Sequence, residues 1–320
     1  MNVPSVVSFA LALSIAPASR AAESAAPVVD DAFWRTWGDG QGEIATYRGT
    51  RERYGEMRET EVVVITVTED FSASKRVKAD PGKNPTSDVF PVIKTNVNER
   101  FTTGVYPYAL MTSSFVSLSS KAGVPVGHPA KISFGAQEWC GHVYHQLLFD
   151  ERRAREASHS YFDGEQDRLA TLPTPSEVSL VEDALLLWAR GLASPVMQPG
   201  ETREVAFLPS LERARLTHQP LAWTRAKLTV SKGTTTEMTP LGAHDVRIFT
   251  VVVDGGRTVR LAVEPSGARR VVRIEDDGKQ TGGMRSLSLV AVERMPYWKK
   301  NRNADRPLRK TLGLDDGARR

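Results

Sequence analysis

The stretch VVVDGGRTVRLAVEPSGARRVVRIEDDGKQTGG, residues 251–283, decides the fold prediction. Runs rich in valine and isoleucine alternate with three turn-forming segments, VDGGRT, EPSGAR and EDDGKQTGG. β-Branched residues favour strands, and Gly, Asp, Pro and Ser favour tight turns. The stretch therefore predicts an antiparallel meander in which each strand pairs with the next.

The same rhythm extends in both directions from this meander. Strand-like runs fill about 200–298, including one predicted over Arg213–His218, and also about 34–172. Wide antiparallel sheets twist and curl. The sequence thus predicts a mainly β protein: a large curled antiparallel sheet, an unclosed barrel, with one main inserted helix. We expect a single β-rich domain over residues 23–298.

The inserted helix is predicted between the two β halves, in TPSEVSLVEDALLLWARGLASP (174–195). Val178, Val181, Leu185, Trp188 and Leu192 recur at helical spacing, which predicts a helix over 176–192. A curled sheet needs a cover over its concave face, and this helix is the predicted cover.

Charge and composition bound the class of protein. The 320 residues are 40% hydrophobic and 25% charged, with a net charge of +4. The last 22 residues, 299–320, hold eight Lys/Arg and three Asp/Glu, so the rest of the chain is near neutral. This distribution predicts a basic flexible tail and argues against nucleic-acid binding.

The first 22 residues, MNVPSVVSFALALSIAPASRAA, are typical of a signal peptide. The apolar run Val6–Ala16 is too short for a membrane helix, and small residues follow it. Cys140 is the only cysteine, so the leader has no lipid-attachment site. We expect a periplasmic or secreted protein without a transmembrane segment.

Several motifs resemble, in the same order, a family of exported bacterial proteins of unknown function. The resemblance spans roughly residues 34–298 and rests on these segments: RYGEMRETEVVVITVTEDF (53–71), FPVIKTN (90–96), FTTGVYPYALMTSSF (101–115), QEWCGHVYHQL (137–147) and SYFDGEQD (160–167). Some members carry the label "septum formation inhibitor Maf", but the Ser-x-Ser-Pro-Arg-Arg type motif of the Maf nucleotide pyrophosphatases is missing from this sequence. The segment RTVRLAVEPSGARRVVRIE (257–275) is also similar to the LolA/LppX lipoprotein-carrier fold, which implies a cavity for a hydrophobic ligand.

The motif QEWCGHVYHQL suggests a polar site. We expect one long strand over Ile132–Phe149, with a bend or bulge near Gly135 or Gly141. Unless a bulge intervenes, alternation places Glu138, Cys140, His142 and Tyr144 on one face. This row is compatible with simple packing, with a polar ligand or metal pocket, or with a reactive thiol. The spacing C-x-H-x-x-H is not that of a zinc finger, and no cofactor is predicted.

Two tyrosines raise a similar choice. Tyr106 and Tyr108 share one predicted face, either at a cavity rim or in cross-strand packing. The sequence has no phosphate loop, nucleophile elbow or dinucleotide fingerprint, so no catalytic residue is assigned. The candidate ligand-binding residues are Glu138, Cys140, His142, Tyr144, Tyr106, Tyr108 and Trp188.

Three functions remain open from the sequence. The first is binding of a hydrophobic ligand, either a lipid or a lipoprotein, under the predicted helix. The second is a metal- or thiol-dependent enzyme that uses Cys140 and His142. The third is a structural component of the cell envelope. The oligomeric state is not predicted.

Overall fold

The computed structural model describes residues 25–279 and 283–314, and the predicted signal peptide lies outside these residues. The α-helices are α1 (Asp31–Trp37), α2 (Leu185–Ala189), α3 (Leu211–Thr217) and α4 (Leu308–Thr311). The first eight strands are β1 (Gly42–Arg53), β2 (Glu56–Ser72), β3 (Val89–Thr103), β4 (Tyr106–Ser117), β5 (Pro129–Glu138), β6 (Gly141–Phe149), β7 (Arg153–Ser160) and β8 (Arg168–Pro173). The remaining strands are β9 (Ser179–Val181), β10 (Thr202–Leu208), β11 (Thr224–Val230), β12 (Thr235–Thr239), β13 (Gly242–Val253), β14 (Thr258–Val263), β15 (Val271–Asp276) and β16 (Arg285–Met295).

One continuous sheet contains nearly all of these strands. Its order is β8-β7-β6-β5-β4-β3-β2-β1-β16-β15-β14-β13-β11-β10-β9, and β12 pairs with β13 beside this path. Neighbours are antiparallel except β9 and β10, which are parallel. The prediction of a mainly β protein with a large, curled, unclosed antiparallel sheet is confirmed. The two edge strands, β8 and β9, are joined by only residues 174–178.

The inserted segment differs from the predicted helix 176–192. Residues Ser179–Val181 form β9, Glu182–Ala184 form a 3-10 turn, and α2 contains five residues. The backbone pairs with β10 over Ser179–Val181, so these three residues are extended where a helix was predicted. We call residues 182–197 the covering segment, because they lie against the inner face of the sheet.

Three predicted strands also differ from the structure. Residues 213–218 lie within and just after α3, where Ser210 caps the helix by accepting a hydrogen bond from the Arg213 N–H. Residues 132–149 form two strands, β5 and β6, joined by a tight turn at Trp139–Cys140. Residues 158–172 are likewise divided between β7 and β8.

The inner face of the sheet is filled by hydrophobic side chains. Trp188 is 1% exposed and lies in the largest core cluster, with its ring edge-on to Phe249 at 5.4 Å. Its Nε1–H donates a hydrogen bond to the Pro195 carbonyl at 2.9 Å. Trp188 thus packs in the core, where the sequence had suggested contact with a ligand.

The described part of the predicted basic tail contacts β1 through residues 312 and 313. Residues 297–311 contain two 3-10 turns and α4. Beyond them, the Leu312 carbonyl accepts a hydrogen bond from the Thr46 hydroxyl and the Gly313 carbonyl accepts one from Arg48, both at 2.6 Å. Within residues 25–279 and 283–314, no helix has the length and apolar character needed to cross a membrane.

We expect Trp188→Ala to lower the free energy of unfolding by about 3–5 kcal/mol, because it leaves a cavity and an unpaired carbonyl in the core. Urea denaturation followed by circular dichroism measures this loss. Trp298→Ala, at a 44% exposed tryptophan, is the control and should change stability little. Equal effects of the two substitutions would contradict the assignment of Trp188 to the core.

Candidate functional site

A cluster of buried and half-buried charges lies at one end of the sheet, under α3. Antiparallel pairing brings the end of β1, the end of β15 and the start of β16 to this same end. The cluster contains four arginines and four acids: Arg51, Arg213, Arg257, Arg285, Glu99, Glu182, Glu212 and Asp276. These residues alternate in sign and form two groups of four.

The first group links β1, β3, β16 and α3. Arg51 contacts Glu99 at 2.9 Å and Glu212 at 3.1 Å, and Arg285 contacts the same two carboxylates at 3.0 and 2.5 Å. The Thr60 hydroxyl donates a further hydrogen bond to Glu99 at 2.9 Å. Each carboxylate therefore lies between two guanidinium groups.

The second group links the covering segment, α3 and the β13–β15 region. The Arg257 guanidinium binds Glu182 and Asp276 together, with Nη2 2.5 Å from an oxygen of each. Arg213 contacts Asp276 at 2.9 Å and Glu182 at 3.8 Å. Glu182 also accepts a hydrogen bond from the backbone N–H of Ser210, the residue that caps α3.

The arginines control the ionisation of these acids. Burial alone would raise the pKa of Glu212, but Arg285 and Arg51 outweigh it and hold the pKa down to about 2. Burial would likewise raise the pKa of Glu182, which Arg257 and Arg213 hold below its ordinary value. Both groups are therefore ionised at neutral pH.

Asp183 is the exception in this region. Burial and the adjacent Glu182 charge raise its pKa well above the ordinary value. Its Oδ2 accepts a hydrogen bond from the Leu211 N–H at 3.2 Å, at the start of α3. An ionised Asp183 is thus disfavoured by the same low-dielectric surroundings that strengthen the ion pairs around it.

A cavity of about 160 Å³ lies within this cluster, and we call it the charged cavity. Its lining is shared by the end of β1, the covering segment, α3 and the β15–β16 connection: Arg51, Glu52, Arg53, Tyr54, Glu182, Ser210, Glu212, Arg213, Leu216, Thr217, Asp276, Gly283 and Arg285. The Nε atom of Arg51 has no hydrogen-bond partner within residues 25–279 and 283–314, although Arg51 is 1% exposed. A buried donor without a partner costs about 1–3 kcal/mol.

A row of aromatic rings, which we call the aromatic ladder, joins two exposed side chains, Tyr54 at the charged cavity and Trp139. Tyr54 lines the cavity, and its hydroxyl is 2.8 Å from that of Tyr108. The ring of Tyr106 lies 5.6 Å from that of Tyr108 and 6.3 Å from that of Trp139, which is 71% exposed. Arg53 stacks over Tyr54 at 4.2 Å and donates a hydrogen bond to its hydroxyl.

The two linked tyrosines have opposite pKa shifts. Burial, together with hydrogen bonds to Glu138 and Tyr54, raises the pKa of Tyr108. Burial opposes ionisation of Tyr54 too, yet hydrogen bonds from Tyr108 and Tyr106 and the Arg53 charge lower its pKa. In this pair, Tyr108 is the stronger candidate for hydrogen-bond donor and Tyr54 for acceptor.

The structure separates the residues that the sequence had placed in one row. Glu138 faces inward and pairs with Arg215 of α3 at 2.6 Å, whereas His142 and Tyr144 lie on the outer face. The turn at Trp139–Cys140 explains the difference, because it reverses the chain and pairs Gln137, not Glu138, with His142. Cys140 is exposed in that turn. Tyr106 and Tyr108 do share a face, as predicted from alternation, with Tyr108 stacked on Phe101 at 4.7 Å.

The charged cavity itself was missed by sequence reasoning. Its arginines and acids lie on five different elements, and charged residues in strands are usually solvent-exposed. The sequence of β1 could have indicated one member of the cavity. Arg51 is two residues after Gly49 and four after Tyr47, so strand alternation places its side chain on the same inward face as that of Tyr47. The SLER segment (210–213), with a serine at its start, also indicates a helix cap.

Two further findings concern metal binding and similarity to known proteins. Across the described residues, 25–279 and 283–314, no group of three His, Cys, Asp or Glu side chains is arranged to hold a metal ion. Comparison of the chain with protein-family models, curated proteins and solved structures gives no match.

We expect Glu212→Gln to lower the free energy of unfolding at pH 7 by about 3 kcal/mol, because it leaves Arg51 and Arg285 short of a buried partner. A depressed folded-state pKa means that this stabilisation is present above the ordinary carboxyl pKa and is lost as pH falls toward about 2. Urea denaturation across this range measures both effects. Glu275→Gln, at a more exposed surface pair, is the control. A mutant effect that is unchanged between pH 7 and pH 2 would count against the ion-pair explanation.

Asp183→Asn should have the opposite effect. A carboxyl group whose folded-state pKa is raised destabilises the fold above its unfolded pKa, and this penalty disappears at lower pH. The asparagine carbonyl can still accept the hydrogen bond from Leu211. The variant should therefore be more stable than the natural protein at pH 8 and should lose that advantage below about pH 4. Thermal unfolding at both pH values tests this; a less stable variant at pH 8 would refute it.

Proposed function

We propose that this protein is an exported binding protein that holds a small zwitterionic ligand, such as a free amino acid, in the charged cavity. The observation that carries the proposal is the balanced set of buried arginines and acids around a cavity of about 160 Å³. Export rests on the leader, residues 1–22.

The charge balance favours a ligand with one group of each sign. A doubly anionic or doubly cationic molecule would leave one set of buried partners uncompensated, which is costly at low dielectric. A ligand carboxylate supplies an acceptor for the free Nε of Arg51, and Glu52 and Glu212 are acceptors for an ammonium group. The ion pairs hold these side chains in place before binding, so little conformational entropy is lost.

The size of the cavity favours a ligand of few atoms. Drug-sized ligands occupy sites of about 300–1,000 Å³, and a cavity of about 150 Å³ holds a molecule the size of benzene. Tyr54, the first ring of the aromatic ladder, borders this cavity. Rings of this kind give a rigid border at low entropic cost.

Binding of a lipid or lipoprotein remains a separate prediction. A second cavity, with a largely apolar lining that includes Phe149, Leu180 and Trp223, also has a volume of about 160 Å³. An acyl chain would need more space than this, so the covering segment and its Trp188 would have to move. Mass spectrometry of lipid extracted from purified protein tests that prediction independently of the amino-acid proposal.

Isothermal titration calorimetry with glycine, L-alanine and L-serine tests the proposed function. At least one should bind, and its affinity should fall about tenfold or more in Arg53→Gln and in Glu52→Gln, since a charge-assisted hydrogen bond contributes more than about 1.4 kcal/mol. Both residues line the cavity but lie outside the two groups of ion pairs, so the fold should survive.

Matched controls make this experiment specific. Arg260→Gln and Glu275→Gln alter an exposed pair 3.8 Å apart on another part of the sheet, and they should leave binding unchanged. Propionate and ethylamine each carry one of the two charges of alanine, and both should bind much more weakly. Absence of binding by all three amino acids, or equal affinity for propionate, would overturn the proposal.

A further inference from the structure

We propose that the outer face of the sheet carries a second binding site, which takes a neutral oligosaccharide. The site is an open groove of about 570 Å³ across strands β3 to β7, and we call it the outer groove. It lies on the opposite side of these strands from the charged cavity. Its volume falls in the range of natural ligand sites.

Strand register sets the shape of the outer groove. One row across the strands runs Asn98, Met111, Gly135, Tyr144 and His159, each directly opposite the next. Gly135 lies in the middle of this row, and a Cβ atom added there would approach only the Val143 carbonyl, at 3.9 Å. The missing side chain leaves a hollow between Met111 and Tyr144.

The neighbouring row completes the floor and adds polar groups. It runs Arg100, Ala109, Gln137 and His142. Ala109 is small like Gly135, so the hollow continues along the strands. Gln137 and His142, both exposed, present an amide and an imidazole that can donate or accept hydrogen bonds.

The lining combines apolar side-chain surfaces, from Met111 and Tyr144, with the planar polar groups of Gln137 and His142. Met111 and Tyr144 are each 43% exposed and lie on either side of the Gly135 hollow, so an apolar surface of each faces the groove. Burial raises the pKa of Tyr144, so its phenol stays neutral, and it donates a hydrogen bond to Gln146 at 3.1 Å.

The charges in the outer groove nearly balance, which favours a neutral ligand. Arg100 supplies a cation, and Asp167 supplies an anion that is paired with His159 at 3.0 Å. A sugar ring has an apolar C–H face and a perimeter of hydroxyl groups. The exposed faces of Tyr144 and Met111 match the first, and the amide and imidazole groups of Gln137 and His142 match the second.

Titration calorimetry with cellotetraose, maltotetraose and chitotetraose tests the outer groove. The natural protein should bind at least one of them, and Gly135→Val should weaken that binding about tenfold or more by filling the hollow. Valine suits a strand, and a Cβ atom at Gly135 would meet only the Val143 carbonyl, at an ordinary contact distance of 3.9 Å, so the variant should fold normally. His142→Ala should weaken the same binding by loss of a hydrogen bond.

Gly233→Val is the matched control, because this glycine also has open space around it and lies outside the groove. It should bind the sugar like the natural protein. No binding of any of the three sugars to the natural protein, or unchanged binding in Gly135→Val, would overturn the proposal. Amino-acid binding in the charged cavity should be unaffected by Gly135→Val. The failure of one proposal can therefore be distinguished from the failure of the other.

Discussion

The two groups of buried ion pairs are the constraint on which the arrangement of this protein depends. They join β1, β3 and β16 to α3 through Glu212, and they join the covering segment to α3 and β15 through Glu182 and Asp276. Removing one partner from such a group leaves a buried charge uncompensated, which is far more costly than losing a surface pair. The inner elements are therefore fixed at one end of the sheet by charge pairing and along the rest by hydrophobic packing.

The combination of charge pairing at one end and hydrophobic packing elsewhere explains how a sheet with two free edges keeps a defined curvature. The hydrophobic clusters around Trp188 provide most of the buried area, but hydrophobic contact is non-directional and allows small shifts of a helix over a sheet. Arg257 binds two carboxylates in a fixed, planar geometry, so it specifies one position for the covering segment. α3 starts where Glu182 and Asp183 accept its first N–H groups, which couples its position to that same segment.

Local signals in the sequence predicted much of the fold, and the errors arose where distant contacts decide the structure. Turn residues correctly predicted the meander over 251–283, because a hairpin is determined by its own few residues. The stripe from Val178 to Leu192 has helical spacing, yet its first part pairs with β10, more than twenty residues away. Glu138 was assigned to the wrong face because a two-residue turn at Trp139 reverses the strand. The charged cavity requires partners from elements far apart in sequence, so no single motif could indicate it.

β3 shows how one strand serves two chemically different surfaces. Glu99 faces inward between Arg51 and Arg285, while its neighbours Asn98 and Arg100 line the outer groove. Alternation forces this arrangement, since successive side chains of a strand point to opposite faces. The inward residue is held by two ion pairs and by the Thr60 hydroxyl, so the backbone of β3 is fixed at this point. The ion pairs on the inner face of β3 therefore also fix the strand that forms one border of the outer groove.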